Sequence, residues 1–172
     1  MQQTLSVAEA QAIIATPKFA VRPIKWQKKQ GNYIPARFHF ESILQIKTTI
    51  REDLLLRLSY RGAYNISRAG IAIARDANIT AGLYVANHRI SAYDYDTTKP
   101  HINHIGAGLP YHRQHITGLH RHIWTNEGDG YAEPLLLTDC QPATIIHAFV
   151  TDNHITLQGS IPPLPNEQLE LF

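Results

Sequence analysis

The chain has 172 residues, 44% hydrophobic and 17% charged, with a formal net charge of +2, which is enough to bury one core and too apolar for a disordered chain. Its single cysteine, Cys140, excludes an internal disulfide and a thiolate metal cluster. No run approaches the length of a membrane span, and Met1-Gln2-Gln3-Thr4-Leu5 lacks the features of a secretory leader, so a cytoplasmic protein without a membrane role is expected.

Ser6 and Glu9 have capping-box spacing, and Leu5 precedes the cap. With Ala10, Ile13 and Ile14 on one face, they predict a helix that stops at Pro17. Residues 18–32 read as irregular and basic, with Gln30-Gly31-Asn32 as a turn. Up to residue 75 the chain carries twelve Lys and Arg against four Asp and Glu; beyond it the counts are four against ten. Lys25, Lys28 and Lys29, with Trp26 and Tyr33 among them, suit phosphates and stacked bases. A solvated face, an acidic partner or self-association of opposite halves accounts for the same charges.

The middle alternates apolar and polar residues, as half-buried strands do. Leu44 to Ile50 reads as one strand and Leu54 to Tyr60 as the next. Ile71-Ala72-Ile73, Ile79 to Val85, and Ile90 to Tyr95 after an Asn87-His88 turn follow. Residues 97–118 read as a loop, with Pro100, Gly106, Gly108, Pro110 and Gly118. Leu119 to Trp124 and Tyr131 to Leu137 read as partner strands around a Gly-rich turn. A second helix is expected near 141–151, capped by Asp139, with Ile145, Ile146, Phe149 and Val150 buried.

Six of the ten histidines fall between 101 and 122: His101, His104, His112, His115, His120 and His122. In a strand, His120 and His122 leave the same face. His112 and His115 lie on the segment feeding it. Imidazoles titrate near neutral pH, so a pair serves as acid and base. Arg113 and Arg121 would hold a phosphate beside them, and Tyr131 would position the scissile group. These parts suit metal-free cleavage of a nucleic-acid phosphodiester. The alternative is Zn²⁺ held by His112, His115, His120 and His122. A third reading is structural, with histidines satisfying backbone groups in a long loop. His115-Ile116-Thr117 and His154-Ile155-Thr156 also match the paired His-x-Thr triplets of two-histidine phosphodiesterases.

Two resemblances add to this. The terminal Gln168-Leu169-Glu170-Leu171-Phe172 resembles the peptide by which many bacterial proteins bind the replication sliding clamp. In that motif Leu169, Leu171 and Phe172 fill an apolar pocket and Gln168 makes a polar contact at its rim. The alternative is that these residues fold back as a last strand. The proline-rich Ile161-Pro162-Pro163-Leu164-Pro165-Asn166 reads as a semi-stiff spacer. Within the body, Pro100-His101, Gly118 to Trp124, and Glu127 to Leu135 resemble a family of small, uncharacterised bacterial and phage proteins with a His-x-His strand and a Gly-rich turn. A His-rich ending of this kind is similar to that of TumE-type toxins. The resemblance implies a toxin-like or mobile-element role, His120 and His122 as the site, and an antitoxin partner.

The expectation is one α+β domain over residues 1–159, an antiparallel sheet of about five to seven strands packed by an N-terminal and a C-proximal helix, with a linker and clamp-binding tail over 160–172. The function expected is phosphodiester cleavage at the histidines of a clamp-bound protein that contacts nucleic acid through its basic half. Rival readings are a non-catalytic clamp adaptor or inhibitor, and a phage counter-defence protein that binds or cleaves signalling nucleotides.

Overall fold

Ser6 opens the first helix, α1 (Val7–Ala15), with the capping box its spacing predicts. The Ser6 hydroxyl accepts from Glu9 N–H at 3.2 Å, and the Glu9 carboxylate accepts from Ser6 N–H at 2.8 Å. The helix ends before Pro17, where its last carbonyls need new donors. The fully buried Lys18 supplies them, its ammonium lying 2.6 Å from the Ile13 carbonyl and 2.9 Å from that of Ile14. The computed structural model describes residues 5–165, and among these no helix is long and apolar enough to cross a membrane.

The architecture is α+β, as expected, with a larger sheet. The strands are β1 (Lys18–Ala20), β2 (Gln27–Lys28), β3 (Arg37–Ile46), β4 (Thr49–Arg61), β5 (Tyr64–Arg68), β6 (Ile71–Arg75), β7 (Asn78–Val85), β8 (His88–Ile102), β9 (His115–Thr125), β10 (Gly128–Pro134) and, after helix α2 (Pro142–Asp152), β11 (Ile155–Thr156). Nine of them form one sheet in the order β10-β9-β8-β7-β4-β3-β1-β11, with β2 paired to β3. Every pairing is antiparallel except β1 with β11. β5 and β6 form a separate hairpin between β4 and β7.

Several elements depart from the sequence expectation. The run from Leu44 to Ile50 is two strands, because Lys47 takes a left-handed φ of 52° and turns the chain. The stretch after Pro17 contributes β1 and β2, whose partners β3 and β11 are distant in sequence. β8 runs through the expected loop to Ile102, and β9 resumes at His115. The two pair on either side of a register shift between Asp96 and His101, which disguises the alternation. Asp139 is not the cap of α2. Pro142 takes the first turn, Gln141 precedes it, and the Asp139 carboxylate accepts from Gln141 N–H at 2.9 Å.

The helices cover one sheet face. Ile145, Ile146 and Phe149 of α2 are fully buried with Leu54, Leu56, Ile79 and Leu83. Tyr93 meets Phe149 edge-on at 5.3 Å between ring centroids. Trp124 donates to the Leu5 carbonyl at 3.0 Å and pins the start of α1 to β9. The proline-rich stretch read as a linker packs Ile161 and Leu164 against this core. The Gln168–Phe172 motif lies outside the described residues.

Candidate functional site

Strand alternation places His120 and His122 on the sheet face opposite Tyr93 and α2. Cross-strand register sets Asp94 beside His120 and Ala92 beside His122. The shift between Asp96 and His101 then brings His101 onto the same spot. Ring centroids are 5.4 Å apart for His101–His120, 4.7 Å for His101–His122 and 5.1 Å for His120–His122. One nitrogen from each of the three lies within 4.8 Å of the others.

The fully buried Asn103 holds this corner closed. Its side chain accepts from Ala132 N–H at 2.7 Å and donates to the Ala132 carbonyl at 2.8 Å. It thereby pairs the open edge of β10 as a further strand residue would. The end of β8 is wrapped around β9 onto β10, and the histidines are enclosed in the curl.

The hydrogen bonds assign the tautomers. His120 Nδ1 is 2.9 Å from the Gly118 carbonyl, which only accepts, so Nδ1 carries the proton and Nε2 is bare. His101 Nε2 donates to the Gly130 carbonyl at 3.0 Å, which leaves its Nδ1 bare. His122 is different: its Nδ1 lies 3.2 Å from an Arg89 guanidinium nitrogen, which only donates. Its proton therefore sits on Nε2, 2.9 Å from Asp94 Oδ2. That contact does not make a well-formed hydrogen bond for His122 Nε2, and the other carboxylate oxygen, Asp94 Oδ1, is buried without a partner among the described residues.

Burial lowers the pKa of His101 and His120 and favours their neutral forms. For Asp94 burial acts to raise the pKa, but His122, Arg89 and His120 outweigh it and hold the carboxyl below its ordinary value. Arg89 also pairs with Asp129 at 3.0 Å, which fixes the guanidinium between β8 and β10.

Of the residues expected at the site, His120 and His122 meet, and His101 joins them. His112 is half-buried in the 103–114 loop and His115 is exposed at the start of β9; neither belongs to the three-histidine group. Arg121 does not stand beside the histidines. The alternation that unites His120 and His122 turns Arg121 to the other face, where it pairs with Glu133 at 2.8 Å. Arg113 is exposed on the loop. Tyr131 is fully buried under that loop, its hydroxyl accepting from Tyr111 N–H at 3.3 Å. Lys25, Lys28 and Lys29 are exposed near β2 and β3, three strand spacings, roughly 14 Å, from β8. The sequence reading missed Asp94, Arg89 and Asn103. Asp94 did carry a signal, a carboxylate alternating with Tyr93 and Tyr95 in a strand.

His101 and His120 each have one ring nitrogen tied to a carbonyl and the other bare, as metal-ligating histidines do. Among family models, curated proteins and solved structures, nothing matches this chain.

Proposed function

We propose that the protein is a phosphodiesterase acting on nucleic acid, with a divalent metal, best Zn²⁺, held at the histidine corner. The observation that carries this reading is the grouping of one nitrogen from each of His101, His120 and His122 within 4.8 Å, with the Asp94 carboxylate beside His122 at 2.9 Å and His120 at 4.0 Å. Nitrogen and oxygen donors without thiolate suit zinc. His122 completes the group of three, and the Asp94 carboxylate stands beside it as a further oxygen donor. Such an ion acts as a Lewis acid toward a phosphoryl oxygen. The chain itself supplies, in His122, a group to hold or pass a proton, with Arg89 fixing its orientation.

Arg89 also favours a second reading. His122, set between Asp94 and Arg89, has the orientation of a general acid–base residue that needs no metal. One experiment separates the two. Purified protein is assayed for bound zinc, and for cleavage of labelled RNA and DNA with and without chelator. The metal reading predicts about one zinc per chain, lost in His120→Ala, and cleavage abolished by chelation. Chelator-resistant cleavage that needs His122 establishes the second reading. No cleavage dependent on either histidine removes both. A role at the replication clamp rests on the Gln168–Phe172 sequence, and a toxin-like or mobile-element setting with an antitoxin partner rests on the resemblance of the body.

A further inference from the structure

A cleft of about 320 Å³ opens on the helix-free face of the sheet, between β3, β4 and β7. It is joined to the histidine corner by strand register. His39 pairs with Ser59, Ser59 with Thr80, Thr80 with Asp94, and Asp94 with His120, one residue on each of five neighbouring strands. All five side chains leave the same face. The first three belong to the cleft and the last two to the candidate centre. Thr80 and His120 are two strand spacings apart, roughly 10 Å. Tyr84 lines the cleft beside this row. Burial raises its pKa.

The chemistry of the cleft favours a flat, uncharged, hydrogen-bonding group. The Arg57 guanidinium lies over the Tyr84 ring at 4.6 Å, and Gly82 makes room for that ring, since a Cβ there would stand 2.7 Å from it. An arginine resting on a tyrosine is a shelf on which a base stacks. Arg57 is already neutralised by Glu41 at 2.5 Å, so the shelf is not an anion site. His39 Nδ1 is buried with no hydrogen-bond partner among the described residues, and the Ser59 and Thr80 hydroxyls stand in the same row. A buried imidazole nitrogen without a partner is costly unless a ligand satisfies it. Lys29 stands at the lining with a positive charge for a neighbouring phosphate. The volume lies at the small end of ligand sites, as suits a single base.

We propose that this cleft is a nucleobase subsite, seating one base of the strand whose phosphodiester lies at the histidine corner; this rests on the phosphodiesterase reading above. Ser59 is exposed, so Ser59→Trp blocks the cleft without disturbing the core. The test measures binding of a labelled single-stranded oligonucleotide, and of the same oligonucleotide with abasic sugars, to wild type, Ser59→Trp, His39→Ala and His120→Ala. Zinc content and Tm are followed in each. The expected result is a loss of about tenfold or more in affinity for Ser59→Trp, and a smaller loss for His39→Ala. Both variants keep their zinc and Tm, and wild type binds the abasic strand as weakly as Ser59→Trp binds the intact one. Equal binding of intact and abasic strands, or Ser59→Trp binding like wild type, overturns the subsite even where His120→Ala abolishes cleavage. Ser59-dependent binding of the intact strand by a protein that neither holds metal nor cleaves would establish the subsite and remove the phosphodiesterase reading.

Discussion

The ammonium of Lys18 donates to the carbonyls of Ile13, Ile14 and Thr16 from a fully buried position. It closes the C-terminus of α1 as the chain enters β1, where a side chain replaces the absent next turn. Lys18→Met leaves those carbonyls without a donor and is expected to cost about 3 kcal/mol, read by urea denaturation. Burial pulls the Lys18 pKa down from 10.5 to about 8. The folded value lies below the unfolded one, so between these two values the unfolded chain binds more protons. Stability owed to this group therefore rises with pH from about 8 to 10.5 and is flat below about 8. Urea midpoints across that range should rise in wild type relative to Lys18→Met. A gap that narrows with pH would contradict the burial argument. Single residues also explain which parts of the site were legible. The His-x-His spacing declared a shared face because strand period is local. The same period excluded Arg121, which the sequence reading had placed with the histidines.

At the scale of elements, the β5–β6 hairpin is set apart from the sheet. β4 pairs with β7 directly, from Leu54↔Val85 to Arg61↔Asn78, so the intervening hairpin adds no strand between them. Ile71 at its turn is 66% exposed, and no residue of the hairpin is buried. β5 offers only Tyr64 and Ile66 as half-buried alternating residues, too short a run to be recognised, and it went unread for that reason. Arg68 and Arg75 extend the basic half onto this arm. If the arm tracks a nucleic-acid backbone, Arg68→Gln with Arg75→Gln lowers the slope of log K against log salt by about 1.4 for a single strand. The melting temperature should stay within about 2 °C, since neither residue supports the core. An unchanged slope would place the phosphate contacts elsewhere. β8 and β9 show the complementary case: Thr97 to Pro100 read as loop and lie in the register shift, yet the pairing of His101 and Ile102 with Ile116 and His115 resumes beyond them.

Across the whole molecule, the two helices bury one sheet face and leave the other to a polar row from His39 to His120. The clamp reading rests on the terminal sequence motif. Leu171→Ala with Phe172→Ala is expected to abolish binding to purified sliding clamp by fluorescence anisotropy, while His120→Ala leaves it unchanged. Clamp binding that survives the double substitution would remove the motif from the account. The sequence by itself determined what depends on near neighbours: the Ser6–Glu9 cap, the buried stripe of α2, the α+β class, and the common face of His120 and His122. Spacings of two to four residues encode these, and backbone geometry converts them directly into direction. Which histidines meet was decided only by tertiary structure. His101 enters through a register shift, Asn103 secures it by clasping Ala132 29 residues away, and Arg89 reaches His122 across 33. His112 and His115, closer in sequence to His120, stay outside because sheet pairing rather than chain proximity sets which side chains share a face.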